Sequence, residues 1–89
     1  MKRCYLEVTF RRGKAFAAYL YLPRARDVRS ARVERFDDSL VVDFSEDGSP
    51  IGIEILDPAA VQLAPLNTLL EKLGAKPVES ADLAPLLAA

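Results

Sequence analysis

Residues 40–59 read LVVDFSEDGSPIGIEILDPA, and the fold turns on whether the middle of this stretch is a metal loop or a hairpin. Asp43, Ser45, Asp47, Gly48 and Glu54 stand at positions one, three, five, six and twelve of a twelve-residue calcium loop. Such a loop hangs between two helices, and its last ligand, here Glu54, supplies both carboxylate oxygens. Both flanks alternate with period two instead, Leu40, Val42 and Phe44 on one side and Ile51, Ile53 and Ile55 on the other. Pro50 also takes position eight, where a backbone N–H normally pairs with a neighbouring loop, and proline has none. Asp47-Gly48 between alternating apolar runs is a hairpin signal, because glycine adopts positive φ without steric cost. The expectation is two antiparallel strands turning at Asp47 and Gly48, six apolar side chains at the centre of the core, and no metal.

The period of two extends upstream. Leu6, Val8 and Phe10 alternate with Tyr5, Glu7 and Thr9 before Arg11-Arg12-Gly13-Lys14 breaks the run. Ala15 to Leu22 follows, with Phe16, Ala18, Leu20 and Leu22 on one face, Ala17, Tyr19 and Tyr21 on the other, and Pro23 at its end. Val28 to Phe36 is a weaker strand. The fold class expected is α+β: a meander-like antiparallel sheet of about five strands over residues 1–57, then short C-terminal helices over 58–89, in one domain.

Beyond residue 57 the period becomes helical. Asp57-Pro58 is a helix start, with Asp57 available to cap free N–H groups and proline needing none at the first position. Pro65 restarts the helix, and Leu66, Leu69, Leu70 and Leu73 recur at i, i+3, i+4 and i+7 until Gly74 closes it. Leu83, Leu86 and Leu87 repeat the spacing, with Pro85 fitting only in a first turn. Seven leucines cannot stay in water as one patch. Short helices take their order from packing, either back on their own sheet or on a second copy. The second copy is the expectation, making Leu66, Leu69, Leu70, Leu73, Leu83, Leu86 and Leu87 the candidate interface of a homodimer.

Composition removes much chemistry. The 89 residues hold one cysteine, Cys4, and no histidine, so no internal disulfide, Cys/His metal set or histidine-dependent nucleophile is available. No cofactor is implied. Residues 5–9 alternate Leu6 and Val8 with Glu7 and Thr9, which is neither a leader nor a membrane span, and the expected location is cytoplasmic. Net charge is -1, yet residues 1–36 carry ten Lys/Arg against Glu7, Asp27 and Glu34, while residues 37–89 carry Lys72 and Lys76 against ten Asp/Glu. Basic strands lying beside acidic ones in one sheet would account for this division.

Asp43 and Glu54 fall on one side of the hairpin, opposite the isoleucines, and Tyr19 and Tyr21 share a strand face. Together with Arg32 they form a candidate surface patch: Tyr19, Tyr21, Arg32, Asp43 and Glu54. Paired carboxylates run acid–base or glycosidic chemistry when one is held protonated by apolar burial, whereas a neighbouring arginine favours both charged forms. A small carboxylate-dependent enzyme therefore ranks below a binding role. Nucleic acid is the competing partner, through Arg24, Arg26, Arg29, Arg32 and Arg35. A three-residue step along a strand alternates faces, which spreads these charges instead of gathering them.

The pattern of an acidic residue on a strand, an Asp-Gly turn, then Gly-Ile-Glu-Ile-Leu and an acidic helix start resembles a family of small prokaryotic proteins known as domain of unknown function twenty-two eighty-three. Asp43, Asp47, Gly48, Gly52, Glu54, Leu56 and Asp57 carry the match, which covers about residues 5 to 60. Arg11, Arg12 and Lys14 replace the family's acidic residues in the first turn. The resemblance implies an antiparallel sheet plus helix, no established activity and a place beside toxin-like genes. The functional expectation is a homodimeric interaction module, antitoxin-like or regulatory, with a protein partner.

Overall fold

The computed structural model describes residues 4–23 and 29–87, Leu87 by its backbone alone. Arg24, Arg26, the start of the expected third strand at Val28 and the Leu87 side chain lie outside the described residues. Five strands, β1 (Tyr5–Arg11), β2 (Lys14–Tyr21), β3 (Arg32–Arg35), β4 (Leu40–Phe44) and β5 (Pro50–Ile55), form one antiparallel sheet in the order β1-β2-β5-β4-β3. Two hairpin-connected groups, β1–β2 and β3–β4–β5, thus meet along β2 and β5, where Ala18 opposes Ile55 and Leu20 opposes Ile53. The chain leaves β2 in mid-sheet and re-enters at the far edge as β3, which is four residues long.

The quoted stretch is a hairpin. Leu40 opposes Ile55 and Val42 opposes Ile53, and a bulge after Asp43 brings Phe44 opposite Pro50. Ser45 N–H bonds Ser49 O at 2.8 Å and Gly48 N–H bonds Ser45 O at 3.0 Å, which closes a loop of Glu46, Asp47 and Gly48. Only Gly48 in this loop has positive φ, at 87°, as in a three-residue hairpin loop with glycine in the left-handed position. The Asp47 carboxylate accepts the Ser49 N–H at 2.9 Å and the Ser45 hydroxyl. Asp47 therefore organises the turn from one side while Gly48 supplies its hand. The two-residue turn with positive φ throughout lies elsewhere, at Arg12 and Gly13 between β1 and β2.

One face of the sheet is covered by the tail. A 3₁₀ turn (Pro58–Ala60), helix α1 (Leu63–Lys72), a second 3₁₀ turn (Ser80–Leu83) and α2 (Ala84–Leu87) follow the last strand. Pro65 and Pro85 both fall in first helical turns, where no intrahelical N–H is owed. Asp57 makes no side-chain cap; its backbone carbonyl accepts the Ala60 N–H at 3.0 Å. At the end of α1, Ala75 N–H returns to Leu70 O at 2.8 Å and Gly74 N–H to Glu71 O at 3.1 Å, the paired bonds of a Schellman stop. Asn67 then holds the segment that follows, its amide donating to Val78 O at 3.0 Å and accepting the Val78 N–H at 2.8 Å.

The leucine tail packs on its own sheet. Leu66, Leu70 and Leu83 are wholly buried, and Leu69 and Leu86 nearly so, in one cluster with Leu20, Leu40, Val42, Ile53 and Ile55. Leu73 is half-buried against the same cluster. For these six leucines the expectation of a second copy is corrected here. The connection after Ile55 is short enough to fold the tail straight back over β5, so burial worth roughly 1.5–3 kcal/mol per leucine is completed within one chain. No helix among the described residues is long and apolar enough to cross a membrane.

Candidate functional site

The other face carries no helix among the described residues, and the residues on it follow from the register. One row across the strands runs Tyr5, Tyr21, Gly52, Asp43, Val33; the next runs Glu7, Tyr19, Glu54, Val41, Arg35. Four of the five residues expected in the surface patch, Tyr19, Tyr21, Asp43 and Glu54, stand together here. The alternation of Tyr5 and Glu7 against Leu6 and Val8 already put those two on the same face, although the candidate patch omitted them.

Tyr19 organises the face. Its hydroxyl donates to Asp43 Oδ2 at 2.7 Å, reaching past β5 from β2 to β4. The ring can cross β5 because the residue beneath it is Gly52: a Cβ built there would lie 2.6 Å from Tyr19 Cζ, inside any real contact. Glycine is used in a strand where something must approach the backbone closely, and here it is an aromatic ring. Burial, then the Asp43 carboxylate, pushes the Tyr19 phenol far above its ordinary range, so it stays a proton donor. Tyr21 stacks edge-on against Tyr19 at 4.6 Å between ring centres and Tyr5 lies 5.7 Å from Tyr21. The Tyr21 hydroxyl points to Glu7 Oε1 at 3.4 Å, and desolvation followed by this carboxylate raises its phenol too. Glu54 is exposed beside Tyr19.

Arg32 is not part of this arrangement. It opposes Phe44, not Asp43, and its guanidinium lies 4.3 Å over the Phe44 ring while pairing with Glu34 on its own strand. The strand starts one residue out of the phase expected from its charges, and a one-residue step sends a side chain through the sheet. Arg35 shares the tyrosine face, but donates to the carbonyls of Asp37 and Asp38 at 3.3 and 3.1 Å. Arg11 covers the Phe16 ring at 4.4 Å. The described arginines are thus spread over separate surfaces.

A cleft of about 680 Å³ lies at the end of the sheet, between the β4–β5 turn and the end of α1, with Arg29, Ser45, Glu46, Leu73 and Gly74 among its walls. Its hydroxyl, Ser45, is already engaged with Asp47 and with Ser49 O. Among the described residues no three Cys, Asp or Glu side chains converge as a metal set.

Among curated proteins and among solved structures nothing matches the chain. A family model does match, over residues 17–57. The match begins inside β2, later than the resemblance suggested, and leaves out the first turn with Arg11, Arg12 and Lys14. It takes in Tyr19, Asp43, the turn at Asp47 and Gly48, Gly52 and Glu54. From within β2 to the end of β5, the part of the fold that builds the tyrosine face, this chain is similar to the family described as Protein of unknown function (DUF2283).

Proposed function

We propose that the chain is a protein-binding module, antitoxin-like or regulatory in its use, whose uncovered sheet face receives a cationic segment of a partner polypeptide. The observation that carries this reading is the Tyr19 ring laid across Gly52 with its hydroxyl on Asp43. A ring fixed in this way presents aromatic area at little further cost in side-chain entropy, which is why tyrosine recurs at the centres of interfaces. Glu7, Asp43 and Glu54 surround the three tyrosines, and Arg35 is turned to its own turn carbonyls. Arginine or lysine on a partner would meet both ring faces and carboxylates.

The same carboxylates disfavour phosphate, which ranks nucleic acid below a protein partner. Small-molecule catalysis also ranks lower, since Asp43 is committed to Tyr19 and Glu54 is exposed. The module is proposed to work as a homodimer, because Tyr5, Phe10 and Phe16 stay more than half exposed on the β1–β2 side. Titration of the isotope-labelled chain with an arginine-rich peptide tests the face. The Tyr19, Gly52 and Glu54 resonances should shift, the effect should weaken with salt, and Glu7→Lys with Glu54→Lys should abolish it. Shifts confined to other surfaces, or produced by DNA or RNA and not by the peptide, would overturn the reading.

A further inference from the structure

The two edges of the sheet differ in their defences. β3 is four residues long and three of them, Arg32, Glu34 and Arg35, are charged. Short, charged edges resist pairing with other chains. β1 has seven residues, and only Glu7 is charged between Tyr5 and Phe10. It contains no proline, and the bulge in its pairing puts the extra residue, Phe16, on β2, leaving β1 itself regular. Among the described residues nothing pairs with its outer side, which presents its backbone groups along a straight run.

The core also stops short at β1. Leu6 and Val8 pack against the buried cluster but are only partly covered, and Phe10, next in their row, is 54% exposed. On the opposite face Tyr5, also 54% exposed, ends the tyrosine row.

We infer that β1 pairs antiparallel with β1 of a second copy, about a two-fold axis perpendicular to the sheet at Val8. This rests on the homodimer reading for its stoichiometry and supplies the surface. An axis through a residue keeps each face on its own side, so the two helical layers lie together and the two tyrosine faces join. Leu6 then opposes the partner's Phe10, Glu7 opposes the partner's Thr9, and Tyr5 opposes the partner's Arg11. Moving the axis to Glu7 would set two carboxylates against each other, which cross-strand pairing disfavours. Moving it to Thr9 would leave Tyr5 and Leu6 unpaired. With the axis at Val8, all seven residues pair and the half-covered apolar row continues into the second copy.

Light scattering on the full chain tests this. The chain should run at twice its 9.8 kDa mass, and Tyr5→Lys with Phe10→Lys should run at the single mass with an unchanged circular dichroism spectrum. Both substituted side chains are mostly exposed, so the fold should survive; Val33→Lys on the other edge should leave the dimer intact. A variant that stays dimeric overturns the β1 pairing and leaves the homodimer reading standing. A wild-type chain of single mass at high concentration overturns both. If the double variant fails to fold, hydrogen exchange of the wild-type chain decides: protection of alternate β1 amides should rise with protein concentration, and concentration-independent exchange overturns the pairing.

Discussion

Strands β4 and β5 feed two faces that are held in different ways. Leu40, Val42, Ile53 and Ile55 meet Leu66, Leu70 and Leu83, and that face is closed by volume. One residue along, Asp43, Gly52 and Glu54 face outwards, and the order there depends on a missing side chain: with no Cβ at Gly52, the Tyr19 ring lies flat and finds Asp43. The first face consists of many interchangeable contacts, each small; the second consists of one aromatic placement and the hydrogen bond that depends on it. Substitutions should therefore damage the two faces by different mechanisms.

The largest loss is expected on the covered face. Leu70 is completely buried, and Leu70→Ala should cost about 2–5 kcal/mol, the range for a large-to-small change that leaves a cavity. Denaturant unfolding measures it. A cost below about 1 kcal/mol would mean that the helical layer collapses to fill the space, and that the covered face is looser than its burial implies.

On the open face the next largest effect comes from adding atoms. Gly52→Ala should destabilise by about 1–3 kcal/mol, as overpacking does, because the new methyl group displaces the Tyr19 ring. The strand itself would prefer alanine to glycine. In a Tyr19→Ala background, Gly52→Ala should consequently become neutral or stabilising, and the sign change isolates the ring as the cause. Equal costs in both backgrounds would show that Gly52 serves the backbone alone.

How much of this was legible in the sequence follows the range of each interaction. The β4–β5 hairpin was readable because its period of two and its turn residues lie within sixteen positions, and the α1 leucines because their spacing is local. That β2 pairs with β5 was not readable: register between distant strands is set by packing, and residues 23–31 carry no apolar pattern that fixes it. The leucine stripe gave the buried face of α1 but not what it is buried against, since a stripe has the same spacing whether it meets its own sheet or another copy. Gly52 stood in the family pattern without a reason until Tyr19 was seen above it. Asn67 gave no signal, because a polar residue beside a leucine stripe is ordinary until its backbone partner, Val78, is known.

Tyr19→Phe should have a smaller effect, with a signature in pH. The phenol of the unfolded chain titrates near its ordinary value of about 10, while in the fold burial and Asp43 hold it higher. Its contribution is whole below the unfolded-state value and is lost as pH rises through the folded-state one. The variant should lose about 1 kcal/mol at neutral pH, the net worth of one hydrogen bond, and should show a shallower fall in stability above about pH 10. Part of that fall remains, because Tyr21 is shifted in the same direction. An unchanged alkaline profile would mean that burial and Asp43 together do not hold the Tyr19 phenol above its ordinary range in solution.

The smallest effect tests where the two faces divide at the sheet edge. Arg32 sits over Phe44 on the covered side, past the reach of the helices, and about half its side chain is exposed. Truncation to alanine should cost about 0.5–1 kcal/mol, as for an exposed cation over a ring. The informative quantity is the coupling. A double-mutant cycle of Arg32→Ala with Phe44→Leu should return most of that energy, whereas Arg32→Ala with Asp43→Asn should return close to none, because the sheet lies between them. The charge division along the chain would otherwise predict the reverse, with Arg32 and Asp43 attracting across neighbouring strands. Coupling of about 1 kcal/mol to Asp43 would move β3 one residue along β4 and put Arg32 among the tyrosines. A cation would then already occupy the face proposed to receive one.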